Sequence, residues 1–230
     1  MTTRIGVVLF PGSNCEHDVI EAVRMLGGQA EICWHGDSSL GSVDAVVVPG
    51  GFAHGDYLRP GAIARFSPIM KAVIEHANAG GPVLGICNGF QILAEAGLLP
   101  GALQKNRGLK FLCETVEVRV ETTRSVLTSE AALGAVLRVP INHFEGNYTC
   151  SPEVLDQLKE QDRIVLRYLD NPNGSIDDIA GITNETRNVV GLMPHPERAI
   201  SALLGSADGV PLLRSFLSAA AAPAAAATPV

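Results

Sequence analysis

Gly85-Ile-Cys-Asn-Gly89 sets a thiol between two glycines, directly after the apolar run Val83–Ile86 and just before a helical pattern. The spacing G-x-C-x-G is the cysteine form of a nucleophile elbow, a sharp strand-to-helix turn that exposes the side chain at its apex. The glycines allow the turn and let the helix approach the strand. A helix start favours the thiolate, which is the reactive form of cysteine. Cys87 is thus a candidate nucleophile. The competing assignment is a buried structural thiol, because free cysteine is among the most buried residue types. A second segment, Pro194-His195-Pro-Glu197, follows a strand pattern over 188–193. Its prolines exclude a helix and present an imidazole rigidly at a strand end. Glu197 can reach the ring nitrogen that does not face the thiol. Alone, His195 reads as a surface or capping histidine. Behind an elbow cysteine it reads as the base, with Glu197 the orienting acid.

The elements that must position these groups alternate between strand and helix. Residues 5–10 form a continuous apolar run ended by Pro11-Gly12, as expected of a strand buried on both faces. A helix over 15–27 closes at Gly27-Gly28. Strands follow at 31–34 and 45–48, then a helix over 61–79, a strand at 83–86 and the elbow helix over 88–96. Repeated βα units predict a doubly wound, mostly parallel open sheet with helices on both faces, an α/β fold of flavodoxin-like type. Such sheets place their sites at the carboxyl ends of the strands. Pro11-Gly12, Gly50-Gly51 and Cys87 all occupy such ends. In the second half, 115–121 and 163–168 alternate apolar and polar residues, which predicts half-solvated antiparallel strands added to the sheet. A strand at about 189–193 returns His195 to the same rim, and a helix over 208–219 closes the domain.

The 230 residues predict a single domain over 1–218. The Ala/Pro/Thr tail 219–230 carries no apolar pattern and is expected to be disordered. The composition, 47% hydrophobic and 18% charged, is that of a compact enzyme. A net charge of −7 without any basic run argues against nucleic acid or an anionic membrane as partner. No apolar run is long enough for a membrane span, and no signal-peptide pattern opens the chain. Cysteines 15, 33, 87, 113 and 150 are odd in number and widely spaced. They form neither a disulfide framework nor a zinc motif, and this argues for a reducing cytoplasm.

The segments Gly85–Gln91 and Pro194–Glu197 together resemble the class I (triad-type) glutamine amidotransferases. The loop Pro49-Gly-Gly-Phe-Ala-His-Gly-Asp-Tyr-Leu-Arg-Pro-Gly-Ala-Ile-Ala-Arg65 narrows the resemblance, as do Phe10-Pro-Gly-Ser-Asn-Cys-Glu16 and Leu204-Gly-Ser-Ala-Asp-Gly209. They are similar to the glutaminase subunits of phosphoribosylformylglycinamidine synthases of the three-subunit bacterial form. The likeness runs from about residue 4 to about residue 217. It departs at His54, where Tyr is expected, and at Phe144, where Gly is expected.

This resemblance implies a glutaminase that passes ammonia to a synthetase converting formylglycinamide ribonucleotide (FGAR) and ATP to the amidine (FGAM), in purine biosynthesis. It implies two partners, the large synthetase subunit of the same complex and its small bridging subunit. It further implies L-glutamine as substrate and no cofactor in this chain. No G-x-x-x-x-G-K-[ST] loop is present, so ATP and magnesium are expected on the synthetase. Cys87 would attack the glutamine amide, with His195 and Glu197 moving protons. Backbone N–H groups of Asn88 and Gly51 would form the oxyanion hole, the first by elbow logic and the second from the Gly50-Gly51 turn. Gln91, one helical turn from Cys87, would hold the glutamine. Asn14, Asp56 and Arg59 are candidates for partner contact or the ammonia exit. His143 and Glu145 form a second acid–base pair, ranked lower because no local device fixes their geometry. Other amidotransferases, serving guanine, tryptophan or carbamoyl phosphate synthesis, are the alternative. A stand-alone cysteine hydrolase and a non-catalytic scaffold stand further off.

Overall fold

A computed structural model describes residues 2–222. Eleven strands and five α-helices occur among them, nine of the strands in one sheet of order β2-β1-β3-β4-β11-β10-β9-β6-β7. The parallel part comprises β1 (Arg4–Leu9), β2 (Gln29–Trp34), β3 (Ala45–Val48), β4 (Val83–Ile86) and β11 (Val189–Leu192). Four of these strands are apolar runs with little or no exposure, because helices cover both faces. Right-handed crossovers put α1 (Glu16–Met25) on one face and α2 (Pro68–Asn78), whose strands step the other way, on the opposite face.

The antiparallel part consists of β10 (Ile179–Thr183), β9 (Ile164–Tyr168), β6 (Leu112–Val120) and β7 (Val136–His143). In β6, Val116, Val118 and Val120 are buried and their neighbours exposed, as the alternation predicts. In β9 it does not hold: Ile164, Val165, Leu166 and Tyr168 are all buried. Both faces of that strand are covered, whereas one face of its neighbour β6 meets solvent.

Other differences have local causes. The helix expected over 61–79 begins only at Pro68, which takes the first helical position and holds Ser67 extended at ψ 141°. Before it lies a short 3₁₀ turn, Ala64–Phe66. Strand β7 contains Pro140 and is tolerated because β7 is an edge strand. A small second sheet pairs β5 (Ala102–Gln104) with β8 (Asn147–Thr149). Helix α4 (Pro152–Glu160) is capped by the Ser151 hydroxyl, which accepts from the Val154 N–H. The last helix, α5 (Val210–Ala221), runs into the tail expected to be disordered, and Ala220 is buried. Residues 223–230 of that tail lie outside the described residues. No helix among the described residues is long and apolar enough to cross a membrane.

Candidate active site

Cys87 follows β4 at once and precedes α3 (Asn88–Glu95). Its φ of 52° and ψ of −107° are strained for a residue with a side chain, as an elbow requires. Its N–H donates to Leu192 O at 2.8 Å, and its carbonyl accepts from Gln91 N–H at 3.2 Å. The turn needs Gly89, because a Cβ there would stand 1.8 Å from Val48 O. Strands β4 and β11 are parallel neighbours with Ile86 opposite Leu192. The thiol therefore leaves one strand and the His195 segment leaves the next, on the same rim.

The His195 N–H donates to Pro140 O at 2.8 Å, which fixes the segment against β7. His195 Nδ1 and Glu197 Oε1 lie 2.6 Å apart, both side chains essentially inaccessible. Nδ1 is thereby committed to the carboxylate, and Nε2 has no hydrogen-bond partner among the described residues. Burial alone would lower the ring's pKa. The Glu197 carboxylate, aided by the adjoining thiols of Cys87 and Cys15, outweighs it and holds the imidazole well above its ordinary range. The Cys87 thiol donates to Asn142 O at 3.6 Å and stops short of a hydrogen bond to the ring. Such looseness is usual in a catalytic pair without substrate.

Gly51 and Ser13 form an isolated antiparallel bridge. Its hydrogen bonds run from Asn14 N–H to Gly50 O and from Phe52 N–H to Gly12 O, so the Gly51 N–H stays outside the ladder. At φ 147° this position is left to glycine, and a Cβ would meet Ser13 Cα at 2.7 Å. Asn88 opens α3, and its N–H is one that a helix leaves unpaired.

The Asn88 side chain is 1% exposed and fully used. Oδ1 accepts from Ala53 N–H at 2.9 Å, and Nδ2 donates to Gln91 Oε1 at 2.8 Å and Asp56 Oδ1 at 3.0 Å. Gln91 Nε2 in turn donates to Glu145 O. Burial, reinforced by the Glu145 charge, pushes the Asp56 carboxyl up to about 6 despite its bond to Asn88. Sequence reasoning assigned Asn88 only its backbone; an amide side chain directly after the nucleophile was the available signal.

His143 is fixed after all, by a distant residue: Asn106 Oδ1 lies 3.1 Å from its Nδ1. Burial and then the charge of His195 lower its pKa to about 4. Arg59 forms an exposed, two-pronged ion pair with Glu95 of α3, at 2.5 and 2.7 Å. Asn14 Oδ1 accepts from the Cys15 thiol. His54 adopts a φ of 54° and places Nε2 3.3 Å from Ser67 Oγ, beside the ring of His35. Phe144 lies beneath Lys105, 5.9 Å from ammonium to ring centre.

The family model of the CobB/CobQ-like glutamine amidotransferase domain matches residues 2–208. A protein of Rubrobacter xylanophilus, the phosphoribosylformylglycinamidine synthase subunit PurQ, is 57% identical over 217 residues, covering 94% of this chain and 99% of that one. A chain in the structure of PurLQS from Thermotoga maritima superposes with a TM-score of 0.88 at 41% identity, covering 95% of this chain and 99% of its own. Another glutamine amidotransferase of Thermotoga maritima shares the fold, with a TM-score of 0.64 at 18% identity and coverage of 96% of this chain and 100% of its own. An elbow thiol facing a His–Glu pair is thus found in a chain that belongs to the CobB/CobQ-like glutamine amidotransferases and, among them, to the family of PurQ subunits of phosphoribosylformylglycinamidine synthase.

Proposed function

We propose that this chain is the glutaminase subunit of a phosphoribosylformylglycinamidine synthase. It hydrolyses L-glutamine and delivers ammonia to a synthetase that converts FGAR and ATP to FGAM. The observation that carries the reading is the placement of Cys87, at positive φ, on the strand next to the buried His195–Glu197 pair. Membership of the PurQ family selects the synthetase.

Cys87 attacks the side-chain amide carbon of glutamine, and its proton passes to His195 Nε2. The oxyanion is held by the N–H groups of Gly51 and Asn88, each worth about 3 kcal/mol of barrier. His195 returns the proton to the departing nitrogen, which leaves as ammonia, and a γ-glutamyl thioester remains on Cys87. A water, deprotonated by His195, cleaves the thioester to glutamate and regenerates the thiol. Glu197 keeps the imidazole in one tautomer and supports its charged form. Gln91, locked between Asn88 and Glu145 O, borders the glutamine pocket. The partners are the large synthetase subunit of the complex and its small bridging subunit, in the cytoplasm. ATP and magnesium act on the synthetase in this reading.

The test is Cys87→Ala in the reconstituted complex. Glutamine-dependent FGAM formation is expected to vanish and ammonia-dependent formation to persist. Loss of both in an assembled complex, or retention of both, would overturn the reading.

A further inference from the structure

Cys15 has no part in the mechanism above, yet its sulfur lies against the triad. Its residue precedes α1, its N–H points to Gly50 O at 3.3 Å, and its side chain is 2% exposed. Arg198 Nη2 donates to the sulfur at 3.0 Å, and the same guanidinium binds Asp18 Oδ2 through Nε at 2.9 Å. One atom each of Cys15, His195 and Glu197 lie within 4.8 Å of one another. A Cβ on Gly50 would come within 2.9 Å of both the Cys15 sulfur and His195 Cε1. Sulfur and ring edge therefore meet over the oxyanion turn with no space between them and that backbone.

We propose that Cys15 is a positioning residue for His195: its sulfur, anchored by Arg198, backs the imidazole and locks it to the Gly50-Gly51 turn. Two arrangements depend on this one contact. The ring must aim Nε2 at Cys87, and the turn must aim its N–H at the oxyanion. Arg198 follows Glu197 directly, so a guanidinium held by Cys15 and Asp18 also fixes the short 3₁₀ turn Pro196–Arg198 that carries the carboxylate. The titratable and charged groups around the ring are Glu197 and Arg198 on its own segment, Cys87 on the elbow, Cys15 and Asp18 at the start of α1, and His143 on β7. Arg198 is the cation in that set that is anchored to Cys15, and removing it raises the pH at which neighbouring groups lose their protons.

The inference rests on His195 acting as the base, and the experiment separates the two. Cys15→Ala, Cys15→Ser and Arg198→Met are compared in the complex for glutaminase kcat and KM. The free chain is compared for the pH dependence of Cys87 alkylation by iodoacetamide, followed by peptide mapping. Cys15→Ala is expected to lower kcat roughly tenfold or more, as small misplacements of catalytic groups do, with KM within about twofold. Cys15→Ser keeps an acceptor for Arg198 and a donor for Asn14 Oδ1, so it is expected to recover most of that loss. Arg198→Met should repeat the kcat loss. Wild-type kcat in Cys15→Ala, or equal defects in Cys15→Ala and Cys15→Ser, would overturn the proposal. If the wild-type complex releases no ammonia from glutamine, the functional reading fails. The alkylation profiles then decide the positioning role: an altered profile in Cys15→Ala, restored in Cys15→Ser, supports it, and an unaltered one removes it.

Discussion

Asn88 Oδ1 accepts the Ala53 backbone N–H at 2.9 Å, joining the residue after Cys87 to the loop that carries the Gly50-Gly51 turn. Both proposed oxyanion donors, Asn88 and Gly51, are thus parts of one hydrogen-bonded body, and neither can shift without the other.

Asn88→Ala breaks that body. It leaves a buried N–H at Ala53 and the Oε1 of Gln91 without their partners, a cost of about 1–3 kcal/mol. The melting temperature should fall by several degrees, on the scale of roughly 2–4 °C per kcal/mol for a chain of this size. Glutaminase kcat should fall by at least tenfold. A variant with lowered stability but full kcat would show that the side chain is structural only.

Glu197→Gln retains an acceptor for His195 Nδ1 and removes the charge. The imidazolium loses the support that holds its pKa well above the ordinary range. The acid limb of the pH–rate profile, set by the neutral His195 that accepts the thiol proton, should move to lower pH, and kcat should drop by about 10²–10⁴, the range expected when a triad acid loses its charge. An unchanged limb would mean that Glu197 does not set the ionisation of His195.

Asp56 ionises near 6 in the folded chain, because burial and Glu145 disfavour its charge. The sign follows from linkage: an acid whose pKa is raised on folding costs nothing below its unfolded value, and costs most above its folded value. Asp56→Asn can still accept from Asn88, so it should stabilise the chain above pH 6, and the gain should shrink as pH falls from 6 towards 4. Thermal melts at pH 8 and pH 4 check this. A gain of equal size at both would show that charge is not the cause.

Arg59 ties the loop after the oxyanion turn to Glu95 on α3. If that loop is a partner contact, docking can reach the oxyanion hole through it. The isolated chain should hydrolyse glutamine weakly, and the synthetase should stimulate it, most of all with its nucleotide site occupied. Arg59→Ala should reduce this stimulation more than it changes Cys87 alkylation. An isolated chain as fast as the complex would remove the coupling and leave the triad assignment intact.

The parallel half of the sheet and the reactive rim could be read in the sequence because four of its five strands are continuous apolar runs punctuated by Pro or Gly. The elbow and the Pro-His-Pro segment are likewise local devices. What stayed hidden depends on partners far along the chain. Strand β9, expected to be half-solvated, is covered on both faces, and β7 contains a proline that only an edge position excuses. Asn106 fixes His143 from 37 residues upstream, and Cys15 reaches His195 across most of the chain. Spacing along the chain carries no signal for such pairs.

Strand β11 enters the sheet between β4 and β10, although it is the last strand to be made. Until it inserts, the edge of β4 is open, and Cys87 has neither the Leu192 carbonyl that holds its backbone nor the imidazole proposed as its base. The thiol and its base are thus separated in time as well as in sequence. A growing or partly folded chain holds an unarmed cysteine, and the reactive pair arises only in the step that closes the centre of the sheet.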